Sequence, residues 1–235
     1  MNVSIRSFAR PALRWVWLGA LLALAPAAGA NEKLQVSKED QRVNDAVTVF
    51  KQISESPDSH IPQQLMEQAK CVAIFPDMVK GALGWGAKMG RGVMSCRDAS
   101  GHWGPPVFLR MAGGSWGLQV GVEKTDVILF LMNEEGARSL EESEWTLGAK
   151  GAVAAGPVGR SGEAATDLRL DAQVYSYSRS KGLFAGLSLE GAKVSTDQEA
   201  MQKYYGANVN TKAVLFDHQA PKVPSSAQML MEILP

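Results

Sequence analysis

Ser115 lies in Gly113-Gly114-Ser115-Trp116-Gly117, a GxSxG pattern that surrounds the nucleophile of many hydrolases. His60, His102 and His218 are the available bases, and His218 after Asp167 or Asp171 would keep the usual order of serine, acid and histidine. That chemistry needs a strained turn from strand into helix, whereas Ser115 opens an alternating strand pattern, so hydrolysis ranks last of three readings. Gly84, Gly86 and Gly90 have the spacing GxGxxxG with no strand–helix–strand unit around them, which excludes a dinucleotide loop. Gly156-Pro157-Val158-Gly159-Arg160 offers backbone amides and one cation, and reads first as a turn between strands. No histidine or third cysteine stands at ligand spacing from Cys71 and Cys96, so neither a metal nor a cofactor is expected.

Phosphate recognition is the other chemistry within reach. Lys80, Lys88, Arg91, Lys150, Arg179, Lys181 and Lys193 form a basic set without a dense run. Where a few such groups converge beside an apolar edge, each phosphate contact is charge-assisted, and glycine-bearing strands let a head group approach the backbone. The chain as a whole carries 24 basic and 24 acidic residues. That balance gives no global attraction to nucleic acid or to an anionic membrane, so any such attraction must be local.

The first thirty residues are set apart by Arg6, Arg10 and Arg14, an apolar run at 15–25, and an Ala28-Gly29-Ala30 ending. This is the pattern of a cleaved secretory signal. The run is shorter than the roughly 20 apolar residues that cross a bilayer, and Pro26 breaks it. No cysteine follows to carry a lipid anchor. Cys71 and Cys96 would then meet an oxidising compartment and are expected to form a disulfide, the alternative being two buried free thiols. Closing a loop of this length stabilises a fold by roughly 3 kcal/mol through chain entropy.

The elements that must position these groups follow from periodicity. Across 38–55, Val43, Ala46, Val47, Phe50 and Ile53 recur at helical spacing, which predicts an amphipathic helix docked on its own core or lying in a membrane surface. A second short helix is expected at 62–69. From Cys71 the period becomes that of strands, with a stop at Pro76-Asp77. In 82–93, Leu83, Trp85, Ala87, Met89 and Val93 share one face, while Gly84, Gly86, Gly90 and Gly92 occupy the other. Strands are also expected at 116–122, at 168–174 and, buried on both faces, at 127–132. Short helices are expected at 133–140, 197–205 and 225–234, the last on a loosely attached end.

The stretch 175–194 divides in the same way: Leu183, Ala185, Leu187 and Leu189 oppose Gly182, Gly186, Ser188 and Gly191. Glycine weakens strands, so a repeated bare face asks for a reason, either close approach by a helix or another sheet, or room for a ligand. The expected fold is α+β: a curled, mainly antiparallel sheet or barrel-like core with N-terminal amphipathic helices and short peripheral helices. An outer-membrane barrel fits poorly with helices at both ends and glycine in place of a lipid-facing band.

Five blocks in order resemble the SYLF domain, a lipid-binding module of bacteria, fungi, plants and animals, known in fungi also as an actin-regulator domain. They are GHWGPP from Gly101, TDVILFLMN from Thr125, LGAKGAVAAGPVGR from Leu147, YSYSRSKGLFAGLSLEGAKV from Tyr175 and KYYG from Lys203. The resemblance implies binding to membrane phospholipids, phosphoinositides among eukaryotic members, and implies no enzymatic activity. Eukaryotic members often carry an SH3 or actin-related module; none is expected here after the export signal and domain, so actin is not expected as a partner.

The combined reading is a signal peptide at 1–30, a SYLF-like domain at 31–220 including the helices at 38–69, and a C-terminal tail at 221–235. Its expected role is that of an exported, periplasmic, non-enzymatic protein that binds phospholipid or a membrane surface. A structural or protein-binding module of the cell envelope is the alternative. Lys80, Lys88, Arg91 and Lys181 are the candidates for head-group contact, with Trp116 and Phe184 as apolar contacts.

Overall fold

Ser37 starts the first helix by accepting the Asp40 N–H on its Oγ at 2.9 Å, with Glu39 and Asp40 beside the positive end of the helix dipole. The helix, α1 (Lys38–Ser54), buries Val43, Ala46, Val47, Phe50 and Ile53, so its apolar stripe is used up inside the protein. In this computed structural model the described residues are 36–56, 61–138, 140, 144–148, 153–155, 172–180, 183–184, 189 and 191–235. A short α2 (Gln63–Gln68) leads into two long strands, β1 (Cys71–Cys96) and β2 (Val107–Leu131).

These strands pair antiparallel from Cys71 opposite Leu131 to Met94 opposite Val107. Laid straight, the 26 residues of β1 would span roughly 85 Å. Its two ends instead meet: Cys71 and Cys96 form a disulfide with Cα atoms 4.0 Å apart, and the Arg97 N–H donates to the Lys70 carbonyl at 2.8 Å. The β1–β2 ribbon is therefore doubled over on itself. Register breaks fall between Phe75 and Met78 and between Ala82 and Gly84. Pro76 and Asp77 thus mark a bulge and not the expected stop. Proline supplies no ladder donor, and Asp77, at φ 50°, sends its N–H to the Asp126 carboxylate at 3.0 Å.

The doubling explains part of the bare glycine face. A Cβ on Gly92 would lie 2.3 Å from the Ile74 carbonyl oxygen and 2.6 Å from the Phe75 ring. One on Gly90 would lie 2.4 Å from the Met78 side chain. At these positions the returning half of β1 closes on its own beginning, and the space belongs to the protein.

The other edge of β2 is shared. Leu109–Ala112 pair with β7 (Lys193–Thr196), which carries β3 (Glu144–Thr146) outside it. Asp126–Leu131 pair with β5 (Val174–Ser180), which meets β6 (Leu183–Phe184) and, in parallel, β4 (Val153–Ala155). Among the described residues this makes a seven-stranded, mainly antiparallel sheet, and with the helices an α+β fold. Val127–Leu131 is covered on both faces, at 0 or 1% exposure, and proves to be the end of β2.

The remaining helices among the described residues are α3 (Glu135–Arg138), α4 (Gln198–Tyr205), α5 (Thr211–Leu215) and α6 (Ser225–Ile233). Periodicity missed α5, whose five residues are too few to show a helical repeat. The C-terminal end is docked and not loose. Ala227, Leu230 and Leu234 are buried, and Ser226 donates to Asp40 at 2.6 Å while accepting from Tyr204 at 2.6 Å. Tyr205 donates to the Pro106 carbonyl at 2.6 Å, so the two tyrosines of the KYYG block tie α4 to α6 and to the approach to β2. Of the strand expected at 168–174, residues 168–171 lie outside the described residues and Val174 opens β5; most of 181–190 also lies outside them.

Gly92→Ala is expected to destabilise the protein by at least about 2 kcal/mol, because a backbone carbonyl cannot yield to the new methyl. Gly114→Ala, with nothing within 4 Å of its added Cβ, should stay within about 0.5 kcal/mol of the parent. Urea denaturation of the oxidised proteins measures both.

Candidate functional site

Among the described residues, helices cover the outer face of the β1–β2 ribbon only near the disulfide. Directly paired residues share a face, so the rows can be read outward from the covered end. Val93 and Phe108 are buried, with the Phe108 ring 4.9 Å from Tyr204 and 5.3 Å from the Arg42 guanidinium. The next row is Arg91 with Arg110, both exposed, and beyond it come Met89 with Ala112 and Ala87 with Gly114, again exposed. Met89 keeps 60% of its surface open. A polar row of two guanidiniums therefore borders an apolar row that nothing described covers.

Two depressions meet here, each of about 520 Å³, within the range of small-molecule sites. One is apolar and lined chiefly by Val79, Met89, Met111 and Ala112, with Arg91 and Arg110 at its side. The other runs along the polar flank of α1, past Lys38, Gln41, Arg42 and Asp45. Pro76, Asp77 and Arg91 belong to both walls. Arg91 has no hydrogen bond or ion pair among the described residues.

Arg110 is anchored. Its guanidinium reaches Asp197 at 2.6 Å and Glu199 at 3.7 Å. Asp197, 2% exposed, also meets Arg42 at 3.1 Å and caps α4 by accepting the Ala200 N–H. Burial pushes the Asp197 carboxyl upward, but the hydrogen bonds from Arg110, Arg42 and Ala200 together outweigh it and hold the group below its ordinary value. One carboxylate thus joins α1, β2 and α4 and aims Arg110.

The cations predicted for a head group divide between two places. Lys80 and Lys88 share a narrow crevice with Met78, Val79 and Thr125, while Arg91 stands at the junction of the larger depressions. Lys88 is 8% exposed, and burial, followed by the charge of Lys80, lowers the pKa of its ammonium. Lys181 and Lys150 lie outside the described residues. Arg179 is engaged by Asp126 at 3.2 Å and by Gln52, and Lys193 by Glu144 at 2.6 Å. By backbone register Trp116 is opposite Trp85, and Phe184 is opposite Arg179. Arg110 and the open Met89–Ala112 row were not singled out from sequence, because the register that sets Arg110 beside Arg91 is not written in either strand alone.

Ser115 falls inside the continuous strand β2, opposite Gly86, so its GxSxG pattern has no strand-to-helix elbow. His218 packs against Gly104 and approaches the Cys96 carbonyl at 3.1 Å, at the other end of the ladder, with the exposed His102 near it across Asp98. His60, Asp167 and Asp171 lie outside the described residues.

A family model described as "Las17-binding protein actin regulator" matches residues 112–235, just over half of the chain and everything from the open row of β2 to α6. The chain belongs to this Ysc84 family, that of the SYLF domain. Protein YSC84 of Saccharomyces cerevisiae is 41% identical over 180 residues, which are 75% of the chain and 38% of that protein. LAS seventeen-binding protein 3 of the same species is 37% identical, over 75% of the chain and 39% of its own length. SH3 domain-containing YSC84-like protein 1 of Homo sapiens is 34% identical over 76% of the chain and 52% of its own length. The chain thus spans about two fifths to half of these relatives. The family description speaks of binding and of actin regulation, and the name LAS seventeen-binding protein 3 speaks of binding. They also correct one expectation: actin was set aside as a partner for want of an attached module, yet the Ysc84 family description is itself that of an actin regulator.

Asp197→Asn keeps the helix cap and removes the charge. At neutral pH it should cost about 2 kcal/mol, less than the roughly 3–5 kcal/mol of a fully buried pair because Arg110 is half exposed. A depressed folded pKa means that the carboxylate stabilises above its unfolded value, about 3.9, and that this is lost as pH falls through the folded value. The parent should therefore lose stability below about pH 5 more steeply than the variant, as measured by denaturation across pH 2–7.

Proposed function

We propose that the chain is an exported, non-catalytic binding protein that captures phospholipid, or the surface of a phospholipid membrane, at the open end of the β1–β2 ribbon. The carrying observation is the apolar row of Met89, Ala112 and Ala87 bordered by the guanidinium of Arg91, which has no partner among the described residues. A guanidinium fork matches phosphate oxygens, and an exposed apolar row beside it gains by leaving water for acyl chains. Lys80 and Lys88 add positive charge next to Val79, which lines both the crevice and the apolar depression. Export to a periplasmic compartment is supported by the arginines and apolar run of 1–30 and by a pair of cysteines that oxidation would keep joined.

A second reading makes the same ribbon a docking surface for a protein, and the relatives' names favour it. In that case an envelope protein, or a partner of the actin-regulating kind, would take the place of lipid.

Vesicle flotation separates the two. Binding to phospholipid vesicles should fall about fivefold or more in Met89→Asp and in Arg91→Gln, each contact being worth about 1 kcal/mol. Both side chains are exposed, so unfolding midpoints should hold. A folded parent that floats with no vesicle, yet crosslinks to protein in intact cells, would favour the second reading.

A further inference from the structure

The polar depression is not simply basic. Its walls carry Lys38, Arg42 and Arg91 against Asp45, Asp77 and Asp126. Arg42 is committed to Asp197 at 3.1 Å, and Asp126 to Arg179 at 3.2 Å. Of the rest, Lys38 and Arg91 have no partner among the described residues. Asp45 accepts only from the neutral Gln41 amide, at 2.8 Å, and Asp77 meets Lys124 at 3.0 Å in a pair exposed on both sides, which binds weakly. Charges of both signs thus remain available, with Arg91 at the junction with the apolar depression.

We infer that the two depressions together take one phospholipid whose head group is a zwitterion ending in a primary ammonium, of the ethanolamine type. The acyl portion lies along Val79, Met89 and Ala112, the phosphodiester on Arg91, and the ammonium against Asp45 and Asp77. This rests on the lipid-binding reading above and specifies its ligand. A purely anionic head group would gain on Arg91 and be opposed by the carboxylates, whereas a zwitterion satisfies both. Quaternary ammonium is recognised by aromatic faces, and among the described side chains no aromatic one lines either depression. Carboxylates instead accept hydrogen bonds from the N–H groups that a primary ammonium has and a quaternary one lacks.

The test is flotation of the full chain with three vesicles: phosphatidylcholine alone, and phosphatidylcholine mixed with phosphatidylethanolamine or with phosphatidylglycerol. The parent should bind the ethanolamine vesicles most tightly. Asp45→Asn with Asp77→Asn should lose roughly tenfold on those vesicles alone, as expected for two charge-assisted hydrogen bonds at a solvent-facing site, while Arg91→Gln weakens binding to all three. Equal loss on every vesicle, no loss, or a parent preference for phosphatidylglycerol overturns the head-group assignment and leaves lipid binding standing. A folded parent, checked by circular dichroism, that binds none of the three overturns both. Because the carboxylate variant sees the same bilayers as the parent, an effect of ethanolamine lipids on bilayer packing alone would leave the two proteins equal, and that too overturns the assignment.

Discussion

The return of β1 onto its own beginning sets everything else in this molecule. It depends on Gly92 lying where any side chain would strike the Ile74 carbonyl, so two stretches of one strand approach at backbone distance. Once that contact forms, Cys71 and Cys96 are neighbours, β2 must follow the same bend, and its two ends are left to recruit different partners, β7 at one and β5 at the other. A long ribbon that could not double would expose both faces along its length. Doubled, it buries one face against itself and offers the other to helices.

The helices cover only part of that outer face, and a charged node stands where their cover stops. Asp197 is buried, yet it holds two arginines and the first turn of α4, so its desolvation is offset by three hydrogen bonds converging from three elements. Arg110 is fixed by this arrangement, whereas Arg91 beside it is not. Two guanidiniums in register, one spent and one available, mark the boundary between the structural and the open parts of the sheet.

Much of the fold could be read from spacing alone. The stripe of α1, the helix at the KYYG block, the alternation of β1 and the apolar run at the end of β2 each declare themselves within a few residues. What the sequence did not declare was long-range. Pro76 reads as a terminator because local rules know nothing of Asp126, 49 residues beyond Asp77, which takes the orphaned N–H of Asp77 and lets the strand continue. The α6 helix reads as loose because its partners, Asp40 and Tyr204, are distant in the chain. For the candidate site, Arg91 was visible as a cation and Met89 as an apolar residue, but their pairing with Arg110 and Ala112 is a matter of register. Glycine patterning showed that something comes close; only the doubled ribbon shows that at Gly90 and Gly92 it is the chain itself.

Because the disulfide joins the two ends of a single strand, the segment between them is a covalent ring of 26 residues, and Lys80, Lys88, Met89 and Arg91 all sit on its circumference. A protease that cuts the ring opens it without releasing either piece, since each remains held through sulfur. Exposed residues can therefore be displayed at the rim of this domain with a single nick leaving the polypeptide in one covalent body.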